Sequence, residues 1–269
     1  MDRTFIFSRK GIEAKDDEDA RRMFERLKSC GRASLDFAAV EGDPIPEFFR
    51  KIAEKNPSKL IPVGDMDFIR SYLKRAGASD PNMTTLEIPD SLLPFAGRFY
   101  RRMSGREVLE GGYADVRKWF LKDASEAKRW TGILCLNDAS GCIDPERTYV
   151  VSGLLKIKAE YRCFVLKDEV LGVQAYAGDP LVFPSGERIR EMIEAYKAEK
   201  RPGAYVLDAA VAETEDGEAQ TVPIEVHPFA ACGLYGFMDD RIGVMLDAGY
   251  SWYLRGAGLR PERAGKEHQ

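Results

Sequence analysis

With 269 residues, of which 44% are hydrophobic and 31% charged, the chain is long enough for two modest domains or one elaborate one. Its formal net charge of −4 argues against a general nucleic-acid surface, because neutralising phosphates needs a basic stripe. No run approaches the roughly 20 apolar residues that span a bilayer, and residues 1–10 lack the apolar core of a signal peptide. The five cysteines are scattered and form no CxxC pair. We therefore expect a cytoplasmic protein with reduced thiols and neither membrane nor nucleic-acid partners.

The first part of the chain predicts a small α/β layer. Short apolar segments with strand composition alternate with segments whose apolar residues recur at helical spacing. Such alternation is typical of an α/β arrangement. The strand candidates are 4–7, 35–40 and 59–64, and the helix candidates are 19–30, 47–55 and 67–77.

Proline and glycine interrupt the chain from about Asp80 to Gly112, which predicts a connecting region with short helical pieces. We therefore assign 1–110 to an N-terminal α/β domain with its linker. The following part, to residue 256, predicts mostly antiparallel strands with one inserted helix, an α+β unit, and the polar residues 257–269 predict a disordered tail. Its predicted elements are strands at 115–123, 148–166 and 170–179, a helix at 186–200, a hairpin at 204–228 and a helix at 237–256.

The hairpin, formed by AYVLDAAV (204–211) and TVPIEVHP (221–228), is the most informative feature. A two-residue loop at Asp216-Gly217 makes paired residue numbers sum to 433, which places Asp208 opposite Glu225. Like charges about 4.5–5.5 Å apart at Cβ repel each other, so the pair needs a divalent cation, a shared proton or a basic neighbour. A magnesium site is the simplest answer. The alternative is a solvent-facing hairpin with two surface acids.

Two further residues of this hairpin affect the interpretation. Pro223 cannot donate to a strand ladder, so it predicts an edge strand or a bulge that shifts the register by one residue. His227 falls opposite Val206 in the same register. Because the two acids are expected to repel each other without a cation, replacing either by its amide is expected to leave the fold intact.

Cations accompany the two acids. Lys122 ends the apolar run WFLK, Lys128 follows a short acidic loop, and Arg162 lies within AEYRCFVL on the same face as Glu160. A charge inside an apolar strand is paired or faces a cleft, and cations beside carboxylates suit phosphate oxygens and magnesium. The alternative makes the lysines surface side chains and Arg162 a salt-bridge partner of Glu160. Neither a Walker motif nor GxGxxG occurs.

On these residues the chain resembles the ATP-grasp superfamily, and more narrowly its arginine-and-two-lysine clade. The motifs are FLK, the KRWTG sequence that starts at Lys128, EYR, YVLDxxV followed by PIEVH, and a GLYG turn, in this order. They cover roughly residues 59–256. The resemblance implies an ATP-grasp domain over 111–256, preceded by the small α/β domain, with ATP between two α+β subdomains.

The resemblance also implies the chemistry. It indicates an ATP- and Mg²⁺-dependent ligase that joins a small-molecule or peptide carboxylate to an amine or thiol through an acylphosphate. The family usually has asparagine where this chain has His227, and imidazole is a poor magnesium ligand. A nucleotide-binding module without ligase activity and an ATP-dependent phosphotransferase therefore stay open as alternatives. The implied nucleotide-binding residues are Lys122, Lys128, Glu160 and Arg162, of which Lys128 and Arg162 are also catalytic, and the implied metal ligands are Asp208, Glu225 and His227.

Overall fold

The computed structural model describes residues 3–8, 18–29, 33–36, 51, 55, 59–75, 77–78, 87–110, 118–125, 131–135, 141–214 and 217–259. Over these residues the chain forms one parallel sheet and two antiparallel sheets, with helices packed against them. The predicted α+β class is confirmed. None of the described helices is both long and apolar enough to cross a membrane.

The N-terminal layer is a parallel sheet in the order β2-β1-β3. Its strands are β1 (Thr4–Ser8), β2 (Ala33–Asp36) and β3 (Leu60–Val63), and its helices are α1 (Glu18–Ser29) and α2 (Met66–Arg75). Helix α1 buries Met23, Phe24 and Leu27, which recur at helical spacing and so form one apolar face. The predicted helix at 47–55 lies outside the described residues except for two helical positions, 51 and 55.

The described part of the predicted connecting region, residues 87–110, has the short helical pieces that were predicted and also a strand. It contains a 3-10 helix (Asp90–Phe95), strand β4 (Tyr100–Ser104) and helix α3 (Gly105–Leu109). Leu92 of the 3-10 helix is fully buried. Strand β4 is the edge of the second sheet, which has the order β4-β7-β5-β6. The other strands of this sheet are β5 (Lys118–Asp123), β6 (Thr131–Cys135) and β7 (Thr148–Ser152).

The third sheet carries the predicted hairpin and has the order β11-β10-β8-β9. One of its faces is covered by α4 (Gly186–Tyr196), and the other packs against α5 (Ile242–Gly256) and the N-terminal layer. Helix α5 approaches closely because Gly249 has no side chain: a β-carbon there would lie 2.0 Å from the Phe229 carbonyl oxygen. The strands are β8 (Lys156–Leu166), β9 (Glu169–Gly178), β10 (Ala204–Glu213) and β11 (Ala219–Pro228).

The register predicted for the hairpin is confirmed at the two acids, although the loop is not the predicted one. Asp208 pairs with Glu225, so the numbers sum to 433 there. The last pair before the loop, Glu213 with Ala219, sums to 432, which excludes a two-residue loop. A bulge between Asp208 and Ala209 restores the sum, since Ala209 pairs with Pro223 and leaves one residue of β11 extra. The predicted bulge at Pro223 therefore compensates for the longer loop.

Candidate active site

Strand register places three charged side chains side by side on the third sheet. Asp208 on β10 pairs with Arg162 on β8 on one side and with Glu225 on β11 on the other. Directly paired residues of neighbouring strands point to the same face, so the three groups form a row across the sheet. The same face of the sheet carries Phe164, two residues from Arg162, and Val206, two residues from Asp208. Both of these side chains are buried under α5.

Arg162 and Asp208 form a buried, two-pronged ion pair. The Arg162 Nε donates to Asp208 Oδ1 at 2.8 Å, and Nη2 donates to Oδ2 at 2.6 Å. The residues are only 7% and 2% exposed. Burial alone lowers the pKa of the Arg162 guanidinium, but its hydrogen bonds to Asp208 and the charge of that carboxylate raise it above its usual value. The Arg162 guanidinium is therefore charged in the folded protein.

Glu225 has its own cation, which comes from the other antiparallel sheet. Lys122 Nζ on β5 lies 3.1 Å from Glu225 Oε2, and both side chains are about five-sixths buried. The contact joins the second and third sheets, so the row of charges lies where the two sheets face each other. The sequence allows a divalent cation, a shared proton or a basic neighbour to offset the repulsion between the two acids. In the structure each acid has a basic neighbour, Arg162 for Asp208 and Lys122 for Glu225.

The geometry also suits one metal ion. One ligand atom each from Asp208, Glu225 and His227 lie within 4.8 Å of one another. Opposite ligands of a single Mg²⁺ are roughly 4.2 Å apart. A small movement of the Asp208 and Glu225 side chains towards each other would therefore let both carboxylates bind one ion. A carboxylate accepts through about four lone-pair directions, which lets each acid keep its cation while it binds a metal.

His227 is held as a neutral ring. Its Nδ1 lies 3.1 Å from the Pro228 carbonyl oxygen, which only accepts hydrogen bonds, so Nδ1 carries the proton and Nε2 is left as an acceptor. Burial, and then the positive charge of Arg162, lower the pKa of His227 below its usual value. The ring thus offers one nitrogen lone pair beside two carboxylates, which is a weaker magnesium donor than the usual asparagine oxygen.

Aromatic rings and a strained loop surround Arg162, and sequence reasoning missed them. Tyr176 and Tyr235 stack with centroids 5.0 Å apart, and the guanidinium lies 5.8 and 5.2 Å from these centroids. Arg162 Nη1 donates to the Gly233 carbonyl oxygen at 3.1 Å. Ala231 and Tyr235 both have positive φ angles, of 44° and 50°, which are uncommon for residues other than glycine. The GLYG turn was the available signal for this loop.

Glu160 and Lys128 are the remaining predicted nucleotide-site residues. Glu160 accepts a hydrogen bond from the Tyr176 hydroxyl at 2.9 Å, and the salt-bridge partner of Arg162 is Asp208. The alternative in which Arg162 pairs with Glu160 is therefore wrong: Asp208 occupies both donors on one edge of the guanidinium. Lys128 lies outside the described residues, so its assignment stays a prediction.

Comparison with known protein families agrees with the resemblance seen in the sequence. The sequence profile of the ATP-grasp domain, family 2 of the arginine-and-two-lysine clade, matches residues 95–243, which is more than half of the chain. No curated protein matches significantly.

Solved structures with a similar fold include ATP-grasp ligases and synthetases. The ATP-grasp ligase PsnB, complexed with a minimal precursor, has a TM-score of 0.51 at 13% identity, over 92% of this chain and 99% of that chain. The D-alanyl-alanine synthetase A of Vibrio cholerae has a TM-score of 0.52 at 12% identity, over 97% and 95%. The N5-carboxyaminoimidazole synthetase of Staphylococcus aureus has a TM-score of 0.52 at 8% identity, over 95% and 77%. The predicted ATP-grasp fold is confirmed.

Proposed function

Because this chain belongs to family 2 of the arginine-and-two-lysine clade of ATP-grasp domain proteins, we propose that it is an ATP- and Mg²⁺-dependent ligase that joins a carboxylate to an amine or thiol. The observation that carries the proposal is the row of two carboxylates and two cations between the antiparallel sheets. Phosphoryl transfer to a carboxylate needs this combination, because it depends on positioning and charge stabilisation rather than on a protein nucleophile.

Asp208 and Glu225 would hold the magnesium ion. Their oxygens are the ligand atoms that Mg²⁺ prefers. These oxygens lie close enough that a small side-chain movement would bring both into the coordination sphere of one ion. When bound, the ion would neutralise charge on the phosphate oxygens. The buried ion pair with Arg162 would hold the Asp208 carboxylate in position beside Glu225.

Lys122 and Arg162 would bind the nucleotide phosphates. Both already lie beside an acid of the metal site, and a phosphate oxygen near the metal would be within reach of the same donors. The charge of the Arg162 guanidinium would attract a phosphoryl group, and the rings of Tyr176 and Tyr235 lie 5.8 and 5.2 Å from it. We also assign Lys128 and Glu160 to the nucleotide site, the lysine from its position in the family motif.

The reaction would proceed in two displacements. A carboxylate oxygen of the first substrate attacks the γ-phosphorus of ATP, and the bond to the bridging oxygen breaks to release ADP. The amine or thiol then attacks the acyl carbon of the acylphosphate, releases phosphate and loses its proton. Arg162 would stabilise negative charge on the transferring phosphoryl group in the first step. The substrates proposed are small-molecule or peptide carboxylates and amines, and the proposed location, the cytoplasm, is where ATP is supplied.

The test is substrate-dependent ADP release. The protein, ATP and Mg²⁺ are incubated with a library of carboxylates and amines, and products are followed by mass spectrometry. We expect ADP formation only when both substrate classes are present, together with a condensed product. A phosphorylated acceptor without condensation would instead indicate a phosphotransferase, and nucleotide binding without any ADP release would indicate a binding module. Either result would overturn the ligase proposal.

A further inference from the structure

Gly97 and Arg98 lie between the second and third sheets, directly before β4. Gly97 has a φ angle of +63°, and a β-carbon there would lie 2.5 Å from Thr214 Cγ2 and 3.0 Å from Val222 Cγ1. Only glycine fits this backbone conformation and this contact with the hairpin. The close fit fixes where the next side chain, Arg98, begins.

The Arg98 guanidinium connects the two sheets through neutral oxygens. Its Nε donates to the Ser152 hydroxyl at 2.8 Å, and Ser152 in turn donates to the Gly153 carbonyl oxygen at 3.0 Å. Its Nη1 donates to the carbonyl oxygens of Ala96 and Pro223, at 3.1 and 3.3 Å. Pro223 belongs to the bulge of β11, two residues before Glu225. Arg98 therefore reaches from the end of β7 to the strand that carries a metal-ligand candidate.

One edge of this guanidinium is only half used. In Arg162 the edge formed by Nε and Nη2 is filled by both oxygens of Asp208. In Arg98 the same edge has a hydroxyl at Nε and, among the described residues, no hydrogen-bond acceptor at Nη2. Nη2 is not fully buried, so solvent can reach it. A planar fork with one free side fits an oxyanion.

The charge of Arg98 has no carboxylate to balance it in the described part of the chain. Every hydrogen bond it makes goes to an uncharged oxygen. Burial consequently lowers its pKa to about 10, with a small opposite effect of Tyr100, and it stays protonated at neutral pH. The guanidinium carbon lies 5.8 Å from the centroid of the Tyr100 ring, but no carboxylate in the described part of the chain offsets the free energy that burying the charge costs. A bound anion would compensate this charge.

The position of Arg98 indicates which anion. Ser152 pairs with Phe120, and Val150 pairs with Lys122, so Ser152 and Lys122 lie on the same face of the second sheet. Their β-carbons are diagonal neighbours, about 7 Å apart. The Arg98 guanidinium is thus hydrogen-bonded to a side chain that shares a sheet face with Lys122, the lysine assigned to the nucleotide. From this placement we expect one polyphosphate chain to contact both cations.

We infer that Arg98 is a further phosphate-binding residue for the nucleotide, with Ser152 and the β11 bulge holding its guanidinium in place. This inference rests on the proposed function, because it takes the cleft between the two sheets as the nucleotide site. The ligand group is a phosphate of ATP or ADP. The nucleoside part would contact other residues of the cleft.

The test compares nucleotides with and without phosphates. ATP, ADP and adenosine are titrated by calorimetry into wild-type protein, Arg98→Gln and Arg98→Lys. We expect Arg98→Gln to bind ATP and ADP about 10- to 100-fold more weakly, the scale of a lost charge-assisted hydrogen bond, while adenosine binds as in wild type. Arg98→Lys keeps the charge but not the fork, so its ATP affinity should be intermediate. Arg101→Gln, an exposed arginine on the opposite face of β4, is the matched control and should bind all three ligands normally.

Several outcomes would overturn the inference. Wild-type ATP affinity in Arg98→Gln would do so, and so would equal weakening of ATP and adenosine binding, which would make Arg98 a purely structural connection. If Arg98→Gln does not fold, Arg98→Lys is used instead, and its ratio of ATP affinity to adenosine affinity is compared with that of wild type. An unchanged ratio would show that Arg98 does not contact phosphate. Failure of the wild-type protein to bind ATP would reject the proposed function together with this inference, which distinguishes that failure from a failure of Arg98 alone.

Discussion

Replacing Asp208 by asparagine separates the structural role of the buried ion pair from its role in the site. The substitution keeps the shape and one acceptor oxygen of the side chain but removes its charge. Arg162, which is 7% exposed and has both donors of one edge on Asp208, is then left as a buried cation without a counter-charge. The sequence alone suggests that the fold tolerates this change, because two facing acids repel. The structure reverses that expectation, since Asp208 is paired with Arg162.

The magnitude follows from the burial of the pair. Removing one partner of a buried ion pair destabilises a protein by about 3–5 kcal/mol. For a chain of this length, 1 kcal/mol shifts the melting temperature by about 2–4 °C, so Asp208→Asn should melt roughly 10 °C below wild type. Glu225→Gln is the matched control: its partner Lys122 is a flexible chain at 16% exposure that can move its ammonium into water. We expect a loss of about 1 kcal/mol there, or a few degrees.

Thermal unfolding and turnover are measured on both variants and on Arg162→Met combined with Asp208→Asn. Both single variants should lose magnesium-dependent ATP turnover, because each removes a proposed metal ligand. Only Asp208→Asn should melt much earlier, and the double variant should recover part of the loss because no buried charge is left unpaired. Equal melting temperatures for Asp208→Asn and Glu225→Gln would refute the argument that the Arg162 pair is the structural one.

Two further substitutions and one labelling experiment test the surroundings of the site. Lys122→Met should weaken ATP binding by about 1–3 kcal/mol in a calorimetric titration, the value of a charge-assisted hydrogen bond, and unchanged affinity would exclude Lys122 from the nucleotide site. His227→Asn replaces a nitrogen by an oxygen donor, so half-maximal turnover should need less Mg²⁺; a higher requirement would mean that the imidazole itself is a ligand. Burial, and then the charge of Asp208, raise the pKa of the Cys163 thiol from 9.0 to about 12. At pH 8 a thiol-specific reagent should therefore label the exposed Cys142 but not Cys163 until the protein unfolds, and rapid labelling of Cys163 in folded protein would contradict its burial. Because this pKa is raised by folding, the stabilising contribution of Cys163 is complete below pH 9 and is lost as the pH rises from about 9 towards 12.

Local patterns were enough to predict most elements of the third sheet. Alternating apolar residues and turn signals predicted the hairpin and the break between the segments 148–166 and 170–179, where Lys167 and Asp168 both adopt positive φ angles. The pairing of Asp208 with Glu225 was predicted correctly although its premise was wrong, since the longer loop and the bulge at Pro223 shift the register in opposite directions. Short-range signals determine such features because the interacting residues are close in sequence.

Contacts between distant segments were beyond this reasoning. Arg162 and Asp208 are 46 residues apart, and only the order of strands in the sheet makes them neighbours. Sequence reasoning therefore gave Arg162 the nearest acid, Glu160, as its possible partner. Strand β4 was missed because its sequence YRRMS has one buried residue and its pairing with β7 spans nearly 50 positions. Arg98 was passed over within the segment rich in proline and glycine for the same reason.

The charges of the site explain why cations beyond the two paired ones are needed. A nucleotide triphosphate remains an anion after it binds one Mg²⁺, so a cleft that receives it must contain more cations than acids. Asp208 and Glu225 are already matched by Arg162 and Lys122. The surplus has to come from side chains that no carboxylate neutralises. Arg98 meets this condition in the described part of the cleft, and Lys128, by its place in the family motif, is the second candidate. A charge that is costly while Arg98 contacts only neutral oxygens becomes favourable once phosphate is present, which makes the cation surplus a requirement of nucleotide binding rather than of folding.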